Sequence, residues 1–580
     1  MSDQTVAGTG KEKRSGGVAR YIPILSWAPA YDRKWLSADV VAGLTLWGLL
    51  APEAMAYAGI AGLPPQAGLY ALLASLFVYA LFGTSRHLSV GPTSATAALI
   101  ASTVAALGVS TLDMEVYQSY AIMLVLLVGV GFAVAGLARL GFITQFLSKP
   151  VMDGFVTGLA FFVAIGQLNK LFGVDKGTGN SFEKLFHVLG SLPEANWTTF
   201  LVGASALALL FLLPRLSRRI PAGLVVLFLY ILVSSLLDLS GRYGVEVVGE
   251  LPQGLPSFTL PEVPASAVLD MVLPAFGIVL VAYSEAIAVA REFAEKHGYE
   301  VDANQELRAQ GITNLVSGFL GGMIASGGMS GSAVKEGAGA RTQVSNLVAW
   351  VAVVVTVLVL TPLFKTLPEA VLAALIIHAL WHIIVARKLK QIRLESRIEF
   401  LLGALTFFGV LLTDVLEGMM MGLLASLVWF IYRSTRPHLS SLGRVPGHKD
   451  VFSDISRHPE NVSVPGLLIL RLNGPLFYAN AQSMRERMKT LLEETDPPPR
   501  AVLFDAAAQD ELDVTSADVL KKLFEELLQQ GIDIYLAEVH APVREFGRRT
   551  GFMHVIADDH VFPTVPAAVA AFEESTHSSN

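Results

Sequence analysis

Two acidic side chains stand alone within long apolar stretches of the sequence. Glu53 occurs in Ala-Pro-Glu-Ala-Met-Ala-Tyr (51–57), and Glu285 occurs in Ala-Tyr-Ser-Glu-Ala-Ile-Ala (282–288). An ionised carboxylate at the bilayer centre costs about 2.5–3.5 kcal/mol on insertion scales, so such a residue usually faces a cavity and handles protons or ions. The alternatives are an acid that reaches water near a helix end, or a protonated acid bonded to a neighbour. We predict proton or ion coupling for both.

Two glycine-containing breaks interrupt other apolar stretches. Ser-Val-Gly-Pro-Thr-Ser-Ala-Thr-Ala spans 89–97, and Ala-Ser-Gly-Gly-Met-Ser-Gly-Ser-Ala spans 325–333. Such a pair in mid-membrane ends an extended segment and begins a half-helix, whose first N–H groups are unpaired and carry a partial positive charge. Two facing starts make an anion site without a basic side chain, although Gly and Ser also simply allow close helix packing. Further donors would be the hydroxyls of Thr93, Ser94, Ser330 and Ser332.

Two further charged residues follow the second break. Lys335 and Glu336 lie a turn or two beyond it. They are expected to pair with each other or to line the inner exit, rather than to bind substrate directly.

The composition is that of a membrane protein with a small acidic globule. Of the 580 residues, 53% are hydrophobic and 16% are charged, whereas a soluble protein has about 25% charged residues. Cysteine is absent, which excludes disulfide scaffolds, cysteine metal sites and thiol nucleophiles. Residues 1–436 carry 29 Lys and Arg against 28 Asp and Glu, and residues 437–580 carry 13 against 21. No basic block suggests nucleic-acid binding.

Fourteen apolar segments are candidate membrane helices, several of them short or broken. They lie at 38–60, 66–83, 88–108, 116–138, 150–169, 196–213, 221–240, 267–290, 304–321, 327–340, 345–361, 368–386, 398–413 and 416–432. With a cytoplasmic N-terminus, the basic residues of this body number 24 on the inner side and 5 on the outer side, which is the positive-inside pattern. Both termini are therefore expected in the cytoplasm.

The two halves of this body look alike. Seven helices per half is an odd number, so the second half is inverted relative to the first, as in secondary transporters. Glu53 and Glu285 are 232 residues apart, and Gly91 and Gly327, at the two breaks, are 236 apart. We therefore predict a polytopic α-helical fold with a 7+7 inverted repeat.

After the last membrane helix, strand and helix patterns alternate. Strands are predicted at 467–472, 501–505 and 532–539, and helices at 481–494, 516–530 and 541–550. This alternation indicates a small cytoplasmic α/β domain, and no phosphate-binding glycine loop occurs in it. The predicted division is an N-terminal segment 1–36, a transmembrane domain 37–436, a linker 437–463 and the α/β domain 464–576.

Several motifs together resemble a known family. They are Asp-Val-Val-Ala-Gly-Leu-Thr (39–45), Ala-Tyr-Ala-Gly-Ile-Ala-Gly-Leu-Pro-Pro (56–65), Phe-Gly-Thr-Ser-Arg (82–86), Val-Gly-Pro (90–92), Gly-Tyr-Glu-Val-Asp-Ala-Asn-Gln-Glu (298–306) and Ser-Ala-Val (332–334). The pattern resembles the sulfate permease (SulP) family, and the C-terminal domain resembles its STAS domain. The resemblance implies a dimer, a core domain that moves against a gate domain, and an anion held between the starts of the third and tenth helices.

The resemblance also carries over individual residues. Tyr57 matches the family's site tyrosine, and Glu285 matches the acid of proton-coupled members. Two positions depart, because many members have Gln at Glu53 and Arg at Gly331. The pocket has thereby gained an acid and lost a cation, so we expect a proton to enter with the anion and neutralise an acid. The predicted substrate-binding residues are Glu53, Tyr57, Thr93, Ser94, Met329, Ser330, Gly331 and Ser332, and the coupling residues are Glu53 and Glu285.

The sequence therefore predicts a secondary active transporter, not an enzyme, that carries sulfate or a small carboxylate such as fumarate with a proton by alternating access. A sodium-coupled bicarbonate carrier on the same fold remains open. So do an anion exchanger or channel and a voltage-responsive element. The attached STAS-like domain argues against a nucleobase carrier, and no catalytic constellation supports a membrane-bound enzyme. The expected setting is a homodimer in a bacterial inner (plasma) membrane, without a cofactor, catalytic residues, a metal site or a nucleic-acid partner.

One segment of the C-terminal domain suggests regulation. Asp-Val-Thr-Ser (513–516) resembles the loop that holds a phosphorylatable hydroxyl in anti-sigma-factor antagonists, with Thr515 in that place. The alternative is an ordinary helix cap formed by Thr515 or Ser516. An acidic module tethered to a transporter suits a regulatory or assembly role, so a cytoplasmic partner is expected here.

Overall fold

A computed structural model describes residues 21–142, 148–175, 177, 179–216, 222–381, 393–436 and 438–578. The predicted N-terminal segment up to residue 20, residue 437 at the predicted domain limit, and the end of the twelfth predicted span from residue 382 lie outside the described residues. The chain divides into two compact units, Met1–Ser426 and Leu427–Asn580.

Fourteen α-helices of the described chain coincide with the fourteen predicted spans. They are α1 Leu36–Ile60, α2 Pro65–Phe82, α3 Ser94–Ala106, α4 Met114–Leu137, α5 Lys149–Phe172, α6 Trp197–Leu216, α7 Ala222–Leu237, α8 Ala265–His297, α9 Ala303–Phe319, α10 Met329–Gly337, α11 Val344–Val355, α12 Glu369–Trp381, α13 Arg397–Leu412 and α14 Val415–Ser434. The strands β1 Ser89–Pro92 and β2 Ala325–Gly328 directly precede α3 and α10. Both breaks thus have the predicted form, an extended segment followed by a half-helix.

The outer surface of the helical body is apolar. Large hydrophobic side chains stay exposed on several helices, for example Leu236 and Leu273 at 74% and Leu401 at 62%. Eight helices among the described residues are long and apolar enough to cross a membrane, and α3, α7 and α12 are shorter apolar helices. Apolar side chains face outward in this way when lipid replaces water as the solvent. The predicted membrane fold is confirmed.

The helix packing repeats after seven helices, as an inverted repeat requires. α4 packs along α9, and the equivalent pair α11 and α2 is also in contact. α5 packs along α13, and the equivalent pair α12 and α6 is also in contact. The two breaks meet as well, because β1 and β2 pair with each other. The 7+7 prediction is therefore confirmed.

The second unit contains a six-stranded sheet covered by helices on both faces. Its strands are β3 Leu439–Arg444, β4 Phe452–Asp454, β5 Leu467–Leu472, β6 Ala501–Asp505, β7 Asp533–Ala537 and β8 Val561–Phe562, in the order β4-β3-β5-β6-β7-β8. Strands β5 to β8 are parallel. The helices are α15 Ala481–Glu494, α16 Val514–Gln529, α17 Ala541–Thr550 and α18 Val565–Ser578. Every strand and helix predicted for this domain is present within two residues.

The segment predicted as a linker contributes two of these strands. β3 pairs antiparallel with β5 and with β4. The side chains of Leu439 and Leu442, both in β3, are buried in the core of the domain. The carboxylate of Asp454 accepts hydrogen bonds from Ser440, Ser456 and His438. Burial alone would raise the pKa of Asp454, but these hydrogen bonds outweigh it and lower the pKa to about 2.

Candidate functional site

The two breaks cross each other at the centre of the helical body. β1 pairs antiparallel with β2, with Ser89 opposite Gly328 and Pro92 opposite Ala325. A Cβ placed on Gly328 would lie 3.7 Å from Thr93 Cγ2, so the residues that begin the two half-helices are in van der Waals range. The starts of the third and tenth helices, which were predicted to face each other, are thus close together.

Side chains of α3 and α9 hold the paired strands β1 and β2, the crossing strands, in register. Asn314, which is fully buried, accepts a hydrogen bond from the Ala325 N–H (2.9 Å) and donates one to the Ala325 carbonyl (3.0 Å). Thr96 donates to the Ile324 carbonyl (3.1 Å), and Ser317 donates to the Met323 carbonyl (2.7 Å). The backbone that leads into the second break is therefore fixed by the first half-helix and by α9.

The N-termini of the two half-helices are capped differently. In α3, the hydroxyl of Thr93 accepts a hydrogen bond from the Thr96 N–H, and the Thr96 hydroxyl accepts one from the Thr93 N–H, which forms a capping box. In α10, the N-cap is Gly328, which has no side chain to cap the helix. The first N–H groups of α10 are therefore the more available donors for an anion.

Of the hydroxyls predicted to donate to the anion, some are bonded within the protein and others are accessible. Ser332 is fully buried, donates to the Gly328 carbonyl (2.7 Å) and accepts from the Ser89 N–H (2.9 Å), so its hydroxyl joins α10 to β1. Ser94 is buried at the start of α3, whereas Met329 and Ser330 are exposed at the start of α10. The structure thus leaves Ser330 as the accessible hydroxyl at this start.

Gly331 lies where the first helix meets the first strand. A Cβ at this position would be 3.2 Å from Leu50 Cδ2 and 3.2 Å from Ser89 Oγ. The Ser89 hydroxyl is buried and has no hydrogen-bond partner within the described residues. Ser89 was not predicted as a site residue, because a serine at the start of an apolar segment carries no distinguishing sequence signal.

Both predicted acids approach the crossing strands. On α1, Glu53 and Tyr57 are each 6% exposed, and the Tyr57 hydroxyl interacts electrostatically with both Glu53 and Glu285. On α8, Glu285 Oε2 is buried without a hydrogen-bond partner among the described residues. Ser326 of β2 donates to the Ala282 carbonyl of α8 (2.8 Å), which fixes α8 beside the second break. The acids, the tyrosine and the breaks therefore share one region.

A close helix crossing holds Glu53 in place. A Cβ on Gly68 of α2 would lie 2.0 Å from the Ala54 carbonyl oxygen, so only glycine allows the two helices to approach so closely. Pro52 lies within α1, one residue before Glu53. A proline inside a helix removes a backbone hydrogen bond and loosens the turn before it, so Glu53 directly follows a loosened turn.

Lys335 and Glu336 do not pair with each other, contrary to one of the two expectations. Glu336 binds Lys296 (2.8 Å) and His297 (3.1 Å) at the end of α8. Lys335 is fully buried and donates to Asn346 Oδ1 (2.9 Å). Consecutive helical residues point about 100° apart, so a helix seldom pairs two neighbours.

In the second unit, the expected helix cap at Thr515 or Ser516 is wrong. The cap of α16 is Asp513, whose carboxylate accepts from the Ser516 N–H (2.8 Å) and the Tyr478 N–H (2.6 Å). A carboxylate is favoured at this position because it also interacts with the positive end of the helix. Thr515 is exposed in the first turn.

Comparisons with known proteins agree on one family. The profile of the sulfate permease family matches residues 36–406, and that of the STAS domain matches residues 458–568. A probable sulfate transporter of Mycobacterium tuberculosis is 36% identical over 552 residues, which cover 94% of this chain and 98% of that protein. Probable sulfate transporter 3.3 of Arabidopsis thaliana is 33% identical and covers 95% of this chain and 91% of that protein.

Solved structures agree on the fold. The murine anion transporter Slc26a9 in the inward-facing state superposes with a TM-score of 0.88 at 24% identity, covering 99% of this chain and all of that one. The transmembrane domain of the cyanobacterial bicarbonate transporter BicA gives a TM-score of 0.59 at 24% identity, covering 68% of this chain and 98% of that one. At this level of identity, the likeness establishes the architecture alone.

Proposed function

This chain belongs to the sulfate permease family, and from that premise we propose that it carries sulfate or a small carboxylate such as fumarate together with a proton by alternating access. It is a membrane transporter of anions rather than an enzyme, as its family and relatives are. The observation that supports this proposal most is the meeting of Thr93 and Gly328, which brings two half-helix starts together beside the buried Glu53 and the half-buried Glu285.

The helix starts account for anion binding. Each α-helix carries about half a positive elementary charge at its N-terminus, and the first N–H groups are hydrogen-bond donors. Two starts together supply about one positive charge without a mobile counter-ion. The open start of α10, with Gly328 as its N-cap and an exposed Ser330 hydroxyl, is the proposed first contact for the substrate.

The acids account for proton coupling. Two unit charges about 4 Å apart at an effective dielectric of 20 repel by about 4 kcal/mol, so an anion beside an ionised Glu53 or Glu285 is strongly disfavoured. A proton on the acid removes that repulsion, and the substrate and the proton then travel together. Tyr57, which interacts with both acids, is placed to donate a hydrogen bond to the anion or to an acid.

Sodium coupling with bicarbonate as substrate is the second candidate. The buried Oε2 of Glu285 has no partner among the described residues, and a carboxylate oxygen is a ligand suited to a sodium ion as well as to a proton. Anion exchange and channel activity use the same site without either coupling ion. The transport assay below separates these modes.

The cellular setting is also a proposal. The chain is a multi-pass membrane protein, and the distribution of basic residues supports a bacterial inner membrane with both termini in the cytoplasm. We propose a homodimer, as the family resemblance implies, and a cytoplasmic protein partner for the STAS domain.

The deciding experiment is uptake of labelled sulfate, fumarate and bicarbonate into proteoliposomes. Under proton symport, an inward proton gradient accelerates uptake, and replacing sodium with choline leaves it unchanged. Glu53→Gln should flatten the pH dependence of uptake, whereas Glu115→Gln, at the start of α4, is the matched control. Uptake that requires sodium supports the second candidate, and a Glu53→Gln protein with the pH dependence of the wild type refutes the role of Glu53.

A further inference from the structure

Another charged residue of the membrane body, Lys335, has no role in the site described above. Lys335 is 0% exposed and lies in the last turn of α10. It is four residues beyond Gly331, so the two positions share one face of the helix. Charged groups buried within membrane helices are rare and usually serve an ion or substrate pathway.

The surroundings of Lys335 fit a charged ammonium group. Its Nζ donates to Asn346 Oδ1 (2.9 Å), Gln343 Oε1 (3.3 Å) and the Leu88 carbonyl (3.5 Å). Three acceptors match the three N–H donors of an ammonium group. Both amides are oriented by backbone carbonyls, because Gln343 Nε2 donates to Ser85 (2.6 Å) and Leu88 (2.9 Å) and Asn346 Nδ2 donates to Leu88 (3.5 Å).

All three of these acceptors are neutral. Lys335 forms no ion pair within the described part of the chain. The nearby Asp39 interacts with it at longer range, and the carboxylate oxygens of Asp39 accept from Arg341 N–H (2.7 Å) and the Thr342 hydroxyl (2.8 Å). Glu336, its neighbour in sequence, is bound to the end of α8. A buried cation that lacks a carboxylate partner is costly unless another anion compensates it.

The position of Lys335 indicates what that anion is. Leu88, whose carbonyl accepts from Lys335, directly precedes the first residue of β1. The first residue of α10, Met329, lies six residues before Lys335, which is about 9 Å along the helix axis. Ser89 pairs with Gly328, the N-cap of α10, so the ammonium group lies beside the first strand and close to the start of α10.

We propose that Lys335 is the fixed countercharge of the transported anion and sets its valence preference. This inference rests on the proposed function. Lys335 does not touch the substrate but acts through its electric field, so it is a positioning residue. It supplies a formal positive charge in addition to the partial charges of the two helix starts.

The expected effect depends on the charge of the anion. A unit charge about 10 Å away at an effective dielectric of 20 changes the affinity for a monoanion by about 15-fold and for a dianion by about 250-fold. Removal of the charge should therefore weaken binding of sulfate or fumarate about 15-fold more than binding of bicarbonate. A lysine with only a packing role would affect all three anions alike.

The test uses purified full-length protein, thermal unfolding with added sulfate, fumarate or bicarbonate, and proteoliposome uptake to give KM and kcat. Lys335→Gln should raise KM in this valence-dependent way, and Lys335→Arg should keep the wild-type preference. Asn346→Asp should act like Lys335→Gln, because it places a carboxylate beside the ammonium group while leaving the lysine in place. Lys365→Gln, which removes a lysine paired with Glu250 at the surface, is the control.

The outcomes are distinct. Wild-type uptake with an unchanged preference among the anions in both Lys335→Gln and Asn346→Asp overturns this inference alone. If Lys335→Gln fails to fold, the preference measured for Asn346→Asp decides. A wild-type protein that transports none of the three anions overturns the proposed function and this inference with it.

Discussion

The two hydrogen bonds between Asn314 and Ala325, which we call the Ala325 clamp, hold the backbone at the second break. Their contribution to stability can be measured by comparing Asn314 with Gln310, one turn earlier on α9. Both amide side chains are fully buried. Asn314 makes two hydrogen bonds to Ala325, at 2.9 and 3.0 Å, whereas Gln310 has no hydrogen-bond partner for either polar atom within the described residues. Replacing each by leucine therefore tests the same chemical change with and without bonded partners.

The expected magnitudes follow from the partners left behind. Asn314→Leu leaves the N–H and the carbonyl of Ala325 buried and unsatisfied, at a cost of about 1–3 kcal/mol each, so we expect a total loss of about 2–6 kcal/mol. Gln310→Leu removes polar atoms that are already unpaired, so we expect it to be neutral or stabilising within about 1 kcal/mol. Because Ala325 begins β2, Asn314→Leu should also raise the KM for the transported anion.

The assay is thermal unfolding of the detergent-purified full-length variants, followed by uptake with those that fold. We expect a lower unfolding temperature for Asn314→Leu alone. Equal destabilisation by the two substitutions would refute the view that the Ala325 clamp, rather than helix burial in general, holds the crossing strands.

Three further predictions concern other parts of the chain. Gly331→Arg should favour dianions, raising the ratio of sulfate to bicarbonate uptake at least about tenfold; an unchanged ratio would place the site elsewhere. Gly68→Ala brings a methyl group against the Ala54 carbonyl and should cost about 1–3 kcal/mol in thermal unfolding, whereas Gly166→Ala, with open space around its Cβ, should cost nothing. The pKa of Asp454 is about 2, below its ordinary value of 3.8, so its stabilisation is present above about pH 4 and is lost as the pH falls through 2; Asp454→Asn should destabilise the protein at pH 7 and flatten this loss, and an acid unfolding profile like that of the wild type would contradict it.

The sequence was sufficient for the architecture because the membrane imposes strong patterns. Runs of apolar residues and the bias of basic loops gave all fourteen helices, and the Gly-Pro and Gly-Gly pairs gave both half-helix starts. In the C-terminal domain, the helix predicted at 481–494 has the observed bounds. The strands β3 and β4 escaped prediction, because Gly443 and the prolines and glycines around them resemble a loop. The partner that joins β3 to the rest of the sheet, β5, lies further along the chain.

The position of the site could be predicted from the sequence, but the hydrogen-bond partners of its side chains could not. The pairing of Ser89 with Gly328 over more than 230 residues has no local signal, and it decides which groups are free. Ser332 looked like a donor for the anion, yet its hydroxyl serves the backbone of both breaks. Lys335 looked like half of an adjacent ion pair, since the sequence alone does not tell which way a helical side chain turns.

The pairing of β1 with β2 also determines when each half of the protein can complete its folding during synthesis. Residue 92 leaves the ribosome 233 residues before residue 325, which at 5–20 residues per second is a delay of roughly 10–50 s. During that time, the backbone N–H and carbonyl groups of β1 have no strand partner, and lipid offers none. Insertion machinery or water must shelter the first half until the second is synthesised, so neither half is expected to reach its final form alone.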